Sequence, residues 1–163
     1  MPGAAAAVLA LAPAAAAAGI ETIAAYKGAW QIEIENYKTA FSEAGKESTS
    51  LQNDCWSSAG FYACDQIVNG KSSALLVFTY DEKTDMYGTY AIPAGGGNAN
   101  HGTLLIRGNV WTYPWEQTEN GHTTYFRVVN VFTAPDTIEF RREFSTDKQH
   151  WTAMAKGIEK KQK

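Results

Sequence analysis

Arg142 is the residue whose position asks most directly for a chemical partner. Ile138, Phe140, Arg142 and Phe144 alternate with Thr137, Glu139, Arg141 and Glu143. A period of two places the first set on one strand face and the second on the other. The first face is the apolar one, so Arg142 is expected inside the protein. A buried guanidinium without a partner is very costly. The partner is then a core carboxylate, a backbone carbonyl, the Trp30 ring, or the carboxylate or phosphate of a ligand, which the planar fork of arginine suits. Trp111, Tyr113 and Trp115 share a face of another strand. They either wall a pocket or cover the outside, because the opposite face, Val110, Thr112 and Pro114, is no clearer a core. Arg127 stands between Phe126 and Val128; both faces of its strand are apolar, and its direction stays open. Trp30, Trp111, Tyr113, Arg127 and Arg142 are the candidate ligand-binding residues.

Catalytic and metal signatures are weak by comparison. Gly95-Gly96-Gly97-Asn98-Ala99-Asn100-His101 invites a phosphate-loop reading, but it lacks the Gly-Lys-Ser/Thr ending and no helix pattern follows. It reads as a lid or connector. His101, His122 and His150 stand apart, each in or beside a turn, without metal-ligand spacing, so no metal or other cofactor is expected. There is no Gly-x-Ser-x-Gly and no His-Glu-x-x-His. Glu33 and Glu35 read as a solvated face. Non-catalytic binding is therefore favoured over an isomerase or hydrolase using a pocket His or Tyr, and over a structural or protein-binding module with a filled interior.

Cys55 and Cys64 flank Trp-Ser-Ser-Ala-Gly-Phe-Tyr-Ala. With Ala59-Gly60 as a two-residue turn, they fall opposite each other on a non-hydrogen-bonded pair, where side chains come closest. A disulfide there needs an oxidising compartment. The N-terminus agrees: residues 1–18 are rich in Ala, Val and Leu, carry no charge, and end in the small-x-small pattern Ala16-x-Ala18. The chain reads as a signal peptide over 1–18 and one domain over 19–163, exported to the periplasm or outside the cell, with no stable membrane insertion after cleavage. A net charge of −3 and the lack of a basic stripe argue against nucleic acid as a partner. The C-terminal cluster of Lys156, Lys160, Lys161 and Lys163 reads as a solvated tail.

The elements that must position these residues are strands. Gly28 to Tyr37 alternates Trp30, Ile32 and Ile34 with Gln31, Glu33 and Glu35, a strand with one buried side. A short helix over 20–27 precedes it. Downstream strands are expected over 48–56, 61–68, 73–80, 86–92, 102–107, 110–116, 123–133, 137–144 and 149–158, joined by turn residues such as Asn69-Gly70 and Gly108-Asn109. About ten strands in an antiparallel up-and-down meander lose their edges best by closing into a barrel.

With Gly28-Ala29-Trp30 on the first strand, after a short helical turn, the chain resembles the lipocalin or calycin group. The hairpin from Phe78-Thr79-Tyr80-Asp81 to Tyr87 and the secreted layout add to the likeness with bacterial, exported lipocalin-like proteins of unknown function. The resemblance covers about residues 24–158. It implies an all-β barrel whose cavity holds a small hydrophobic or amphipathic molecule. It also implies that the Trp packs across one barrel end against a basic residue from a late strand, here Arg142 or Lys156. Haem-binding relatives carry further glycines after the Trp and a late histidine; Gln31-Ile32-Glu33-Ile34 stands there instead, so haem is not implied.

Overall fold

A computed structural model describes residues 19–163; the expected signal peptide lies outside them. A 3-10 helix, Ile20–Tyr26, leads into ten strands: β1 (Gly28–Asn36), β2 (Gly45–Ser58), β3 (Phe61–Val68), β4 (Lys71–Asp81), β5 (Met86–Pro93), β6 (Asn100–Arg107), β7 (Val110–Glu119), β8 (His122–Ala134), β9 (Thr137–Ser145) and β10 (Thr152–Lys161). Each strand pairs antiparallel with the next, and β1 pairs with β10 to close the barrel. Closure gives every strand a neighbour on both sides over at least part of its length. The turns are made as their residues dictate: Ala59-Gly60, Asn69-Gly70 and Asn120-Gly121 all take positive φ at both central residues, the arrangement that matches hairpin twist.

Alternation sets the inward face. Trp30 on β1 is 1% exposed and Ile138 on β9 is 0% exposed. Cys55 is paired in register with Cys64, Trp111 with Asn130, and Ile138 with Glu159. The final strand differs from the sequence expectation. It runs to Lys161 rather than stopping at Ile158, and its register places Glu159 opposite Ile32 and Lys161 opposite Trp30. Lys161 is thus part of the barrel and not of a solvated tail. Phe140 on β9 lies across Gly157 of β10, where a Cβ would collide with its ring and with the Glu33 carbonyl.

One barrel end is plugged by the 3-10 helix. Ile23, fully buried, packs with Cys55, Cys64, Tyr62, Phe78, Tyr87, Leu104 and Trp111. The carbonyls at the helix C-terminus have no partners within the helix, and side chains from the barrel supply them. Trp30 Nε1 donates to the Tyr26 carbonyl at 3.0 Å, Asn53 Nδ2 to the same oxygen at 3.3 Å, and Lys161 Nζ to the Ala25 carbonyl at 3.5 Å. Tyr87 Oη donates to the Gly19 carbonyl at 2.9 Å.

The wall is not uniform. Strands β6 and β7 pair only from Leu105 to Arg107 and from Val110 to Thr112. Beyond that, Asn100–Leu104 pairs only with β5, and Tyr113–Glu119 only with β8. Pro114 stands where the two part, and it has no N–H to donate to β6.

Candidate functional site

The cavity lies inside β2 to β7, above the helical plug, beside the place where β6 and β7 separate. It measures about 390 Å³. Leu51 and Asn53 of β2, Cys64 and Gln66 of β3, Leu76 and Phe78 of β4, and Thr89 and Ala91 of β5 form most of the wall. Asn100, His101 and Gly102 of β6 face Tyr113 of β7 across the split, Tyr26 rises from the helix, and Glu159 of β10 completes the ring. The walls are mainly apolar, with a few convergent polar groups, and the volume is at the lower end of the usual range for small-molecule pockets.

The polar groups are placed from three sides. Asn130 Nδ2 donates to the Tyr26 hydroxyl, and the Tyr113 hydroxyl lies against the same oxygen. Burial, with the nearby Glu159 charge adding to it, holds the Tyr26 phenol well above its ordinary range. Burial and the neighbouring Tyr26 do the same for Tyr113. Both phenols therefore act as neutral hydrogen-bonding groups. Asn130 Oδ1 is buried without a hydrogen-bond partner among the described residues. Glu159 is 9% exposed, and no described residue makes a hydrogen bond or ion pair with its carboxyl. Burial alone pushes its pKa up to about 7. His101 stands at the rim, its ring 4.7 Å from that of Tyr90.

The structure distributes the sequence candidates widely. Tyr113 lines the cavity. Trp111 faces inward but sits lower, in the core beneath it, with its ring 4.8 Å from that of Tyr26. Trp30 closes the plugged end. The basic residue on its ring is Lys161, 5.1 Å from the centroid, in place of the expected Arg142 or Lys156. Lys156 is on the outer surface, paired with Glu35 at 3.2 Å. Arg127, whose direction was open, points out: it bonds Glu143 at 2.6 Å and lies 3.8 Å over the Trp151 ring.

Arg142 does face inward, but in another compartment. Its Nη2 donates to Asn36 Oδ1 at 2.6 Å, and Asn36 Nδ2 donates in turn to Glu47 Oε1 at 2.6 Å. The guanidinium thus meets a carboxylate through an amide, and its Nε is buried without a partner among the described residues. Phe41, from the loop between β1 and β2, covers this region and packs edge-on against Phe126 and Phe144. Phe41, Phe126 and Phe144 cluster on the β8–β9 side of the barrel, and the cavity lies on the β2–β7 side.

The disulfide is present: Cys55 and Cys64 are bonded, with Cα atoms 4.0 Å apart. Among the described residues no helix is long and apolar enough to cross a membrane, and no cluster of three His, Cys, Asp or Glu side chains is placed to hold a metal. Two residues that matter most to the cavity, Tyr26 and Glu159, were not among the sequence candidates. The alternation on β10 carried the only signal, and it was faint, because the inward residues before Glu159 are Ala155 and Gly157.

No family model matches the chain, and no curated protein matches it. Among solved structures, the crystal structure of Rv2717c from M. tuberculosis is similar, with a TM-score of 0.49 and 11% identity over 94% of this chain and 100% of that one.

Proposed function

We propose that this protein is an exported, lipocalin-like carrier that binds a small hydrophobic or amphipathic molecule inside its barrel without transforming it. The observation that carries this reading is the cavity of about 390 Å³ between Leu51, Leu76, Phe78 and Tyr113, opened laterally where β6 and β7 part. A barrel that served only as a scaffold would gain by filling that space, since interiors are normally close-packed. The lipocalin likeness is supported at the plugged end, where a late-strand cation lies over the first-strand Trp30. The strand count is ten, above the eight of lipocalins, so the likeness concerns that end and the cavity. Export is supported by the Cys55–Cys64 bond, which persists in oxidising compartments.

The test is a titration of ligand-free protein with small aryl and alkyl compounds, followed by fluorescence displacement or calorimetry. Ala91→Phe places a ring in the cavity from its wall, and it is expected to lower affinity by about tenfold or more while the variant stays folded. Undiminished binding in that variant, or no binding across the set, would remove the cavity as the site. Turnover of any bound compound would favour an acid–base enzyme built on Glu159 and the tyrosines.

A further inference from the structure

Resting on that binding reading, we infer that the cavity is selective for a small organic cation, an amine on an apolar body, whose ammonium is held by the Glu159 carboxylate. Among the described residues, Glu159 is the one acid in the cavity walls, and no lysine or arginine lines them. Its in-register neighbours are Ile32 on β1 and Ile138 on β9, so the flanking strands offer it neither charge nor hydrogen bond. Buried carboxylates are normally paired. This one faces the cavity with no partner from the described residues, so the missing partner is one a ligand can bring. An ammonium supplies both the opposite charge and the N–H donors.

The rest of the wall fits the same chemistry. Tyr26, Phe78 and Tyr113 give the cavity aromatic surface, which attracts a desolvated cation through the ring quadrupole. A carboxylate ligand would meet Glu159 as a like charge. The inward cation that suits an anion, Arg142, lies in the compartment under Phe41 and is engaged with Asn36. Lys161, two residues along the same face, sits over Trp30 and donates to the helix carbonyl of Ala25.

The pairing makes binding depend on pH in a fixed direction. The titratable groups facing Glu159 are Tyr26 from the helix and Tyr113 from β7, with His101 at the rim and Lys161 on its own strand; the residues opposite it are Ile32 on β1 and Ile138 on β9, and the inward Arg142 lies four residues further along β9, engaged with Asn36. Burial raises the Glu159 pKa to about 7, so below that value a bound ammonium must displace a proton. Affinity for the amine is expected to rise with pH through this region and to level off above it, until the amine itself deprotonates.

The experiment uses the whole chain and three probes of one shape: phenylbutylamine, phenylbutanol and phenylbutyrate, titrated by calorimetry at about pH 8 and about pH 6, each at roughly one unit from the pKa at which the carboxyl ionises. The amine is expected to bind about tenfold or more tighter than the alcohol at the higher pH. The carboxylate should bind weakest, and Glu159→Gln should abolish the preference for amine while keeping the alcohol. Equal binding of amine and alcohol, or an amine preference that survives in Glu159→Gln, overturns the inference and leaves the binding reading intact. Loss of all three probes from the wild type counts against both. If Glu159→Gln does not fold, the wild-type pH profile decides: amine affinity that is flat across the interval, while the alcohol still binds, overturns the inference.

Discussion

Glu159 is largely removed from water on folding and gains no partner from the described residues, so its ionisation works against the fold. An ordinary glutamate titrates at 4.5, and burial takes this one to about 7. Between those values the folded protein holds a proton that the unfolded chain has released. The stability is therefore fully present below the unfolded pKa and is lost as pH rises through the folded one, by roughly 3 kcal/mol in all. Glu159→Gln is expected to match the wild type near pH 4 and to exceed it by about that amount near pH 8. Urea midpoints at the two pH values test this; a variant that keeps the wild-type decline would assign the slope to another group. Arg142 makes a useful contrast. Alternation with Ile138, Phe140 and Phe144 was enough to read it as inward, because three large apolar neighbours mark the face. Nothing in that pattern says which part of the interior it reaches, and its partner, Asn36, is 106 residues away and uncharged. Arg127 was unreadable for the opposite reason. Phe126 faces in and Val129 is buried on the outer face, so neither phase of β8 looks wet.

Among the elements, the β2–β3 hairpin was the most legible. Its two-residue turn fixes the register, and the register brings Cys55 to Cys64. The bond then lies inside the core cluster beside Ile23 and Tyr62, joining the hairpin to the floor under the cavity. Replacing both cysteines by alanine removes a short loop constraint and some buried sulfur. It should cost roughly 2–3 kcal/mol by loop-closure entropy alone, read as a lower denaturant midpoint. A stability equal to that of the wild type would mean that the plug holds the hairpin without the bond. Strand β10 was the least legible. Its outward face carries Ile158 and its inward face carries Ala155, Gly157, Glu159 and Lys161, while Met154 sits at a β-bulge beside the Arg142 compartment. The hydrophobic signal therefore points the wrong way. The inward glycine accommodates the Phe140 ring, the inward lysine caps Trp30, and only closure against β1 reveals either role.

At the scale of the whole molecule, the barrel combines two interiors. The side around β8, β9 and the Phe41 loop carries the ring cluster of Phe41, Phe126 and Phe144 and the inward Arg142, and the side from β2 to β7 encloses the cavity. A meander of short turns predicts closure, since ten strands otherwise leave two edges, but closure does not require every pair to zip fully. Pro114 is the sequence feature that now explains the exception, because a proline inside a strand marks an edge or a break. The split between β6 and β7 gives the cavity a lateral route that does not pass the helical plug. Its backbone amides from Asn100 to Leu104 have pairing on one side only, so this segment should open more readily than β3 or β8. Hydrogen exchange by mass spectrometry is expected to show peptides covering 100–104 exchanging at least about tenfold faster than those in β3, as local stability tracks hydrogen bonding and packing. A saturating ligand seated against Gly102 and Tyr113 should slow that exchange while leaving the loop at 37–44 unchanged. Protection confined to the Phe41 loop instead would move the route, and the ligand, to the Arg142 side of the barrel.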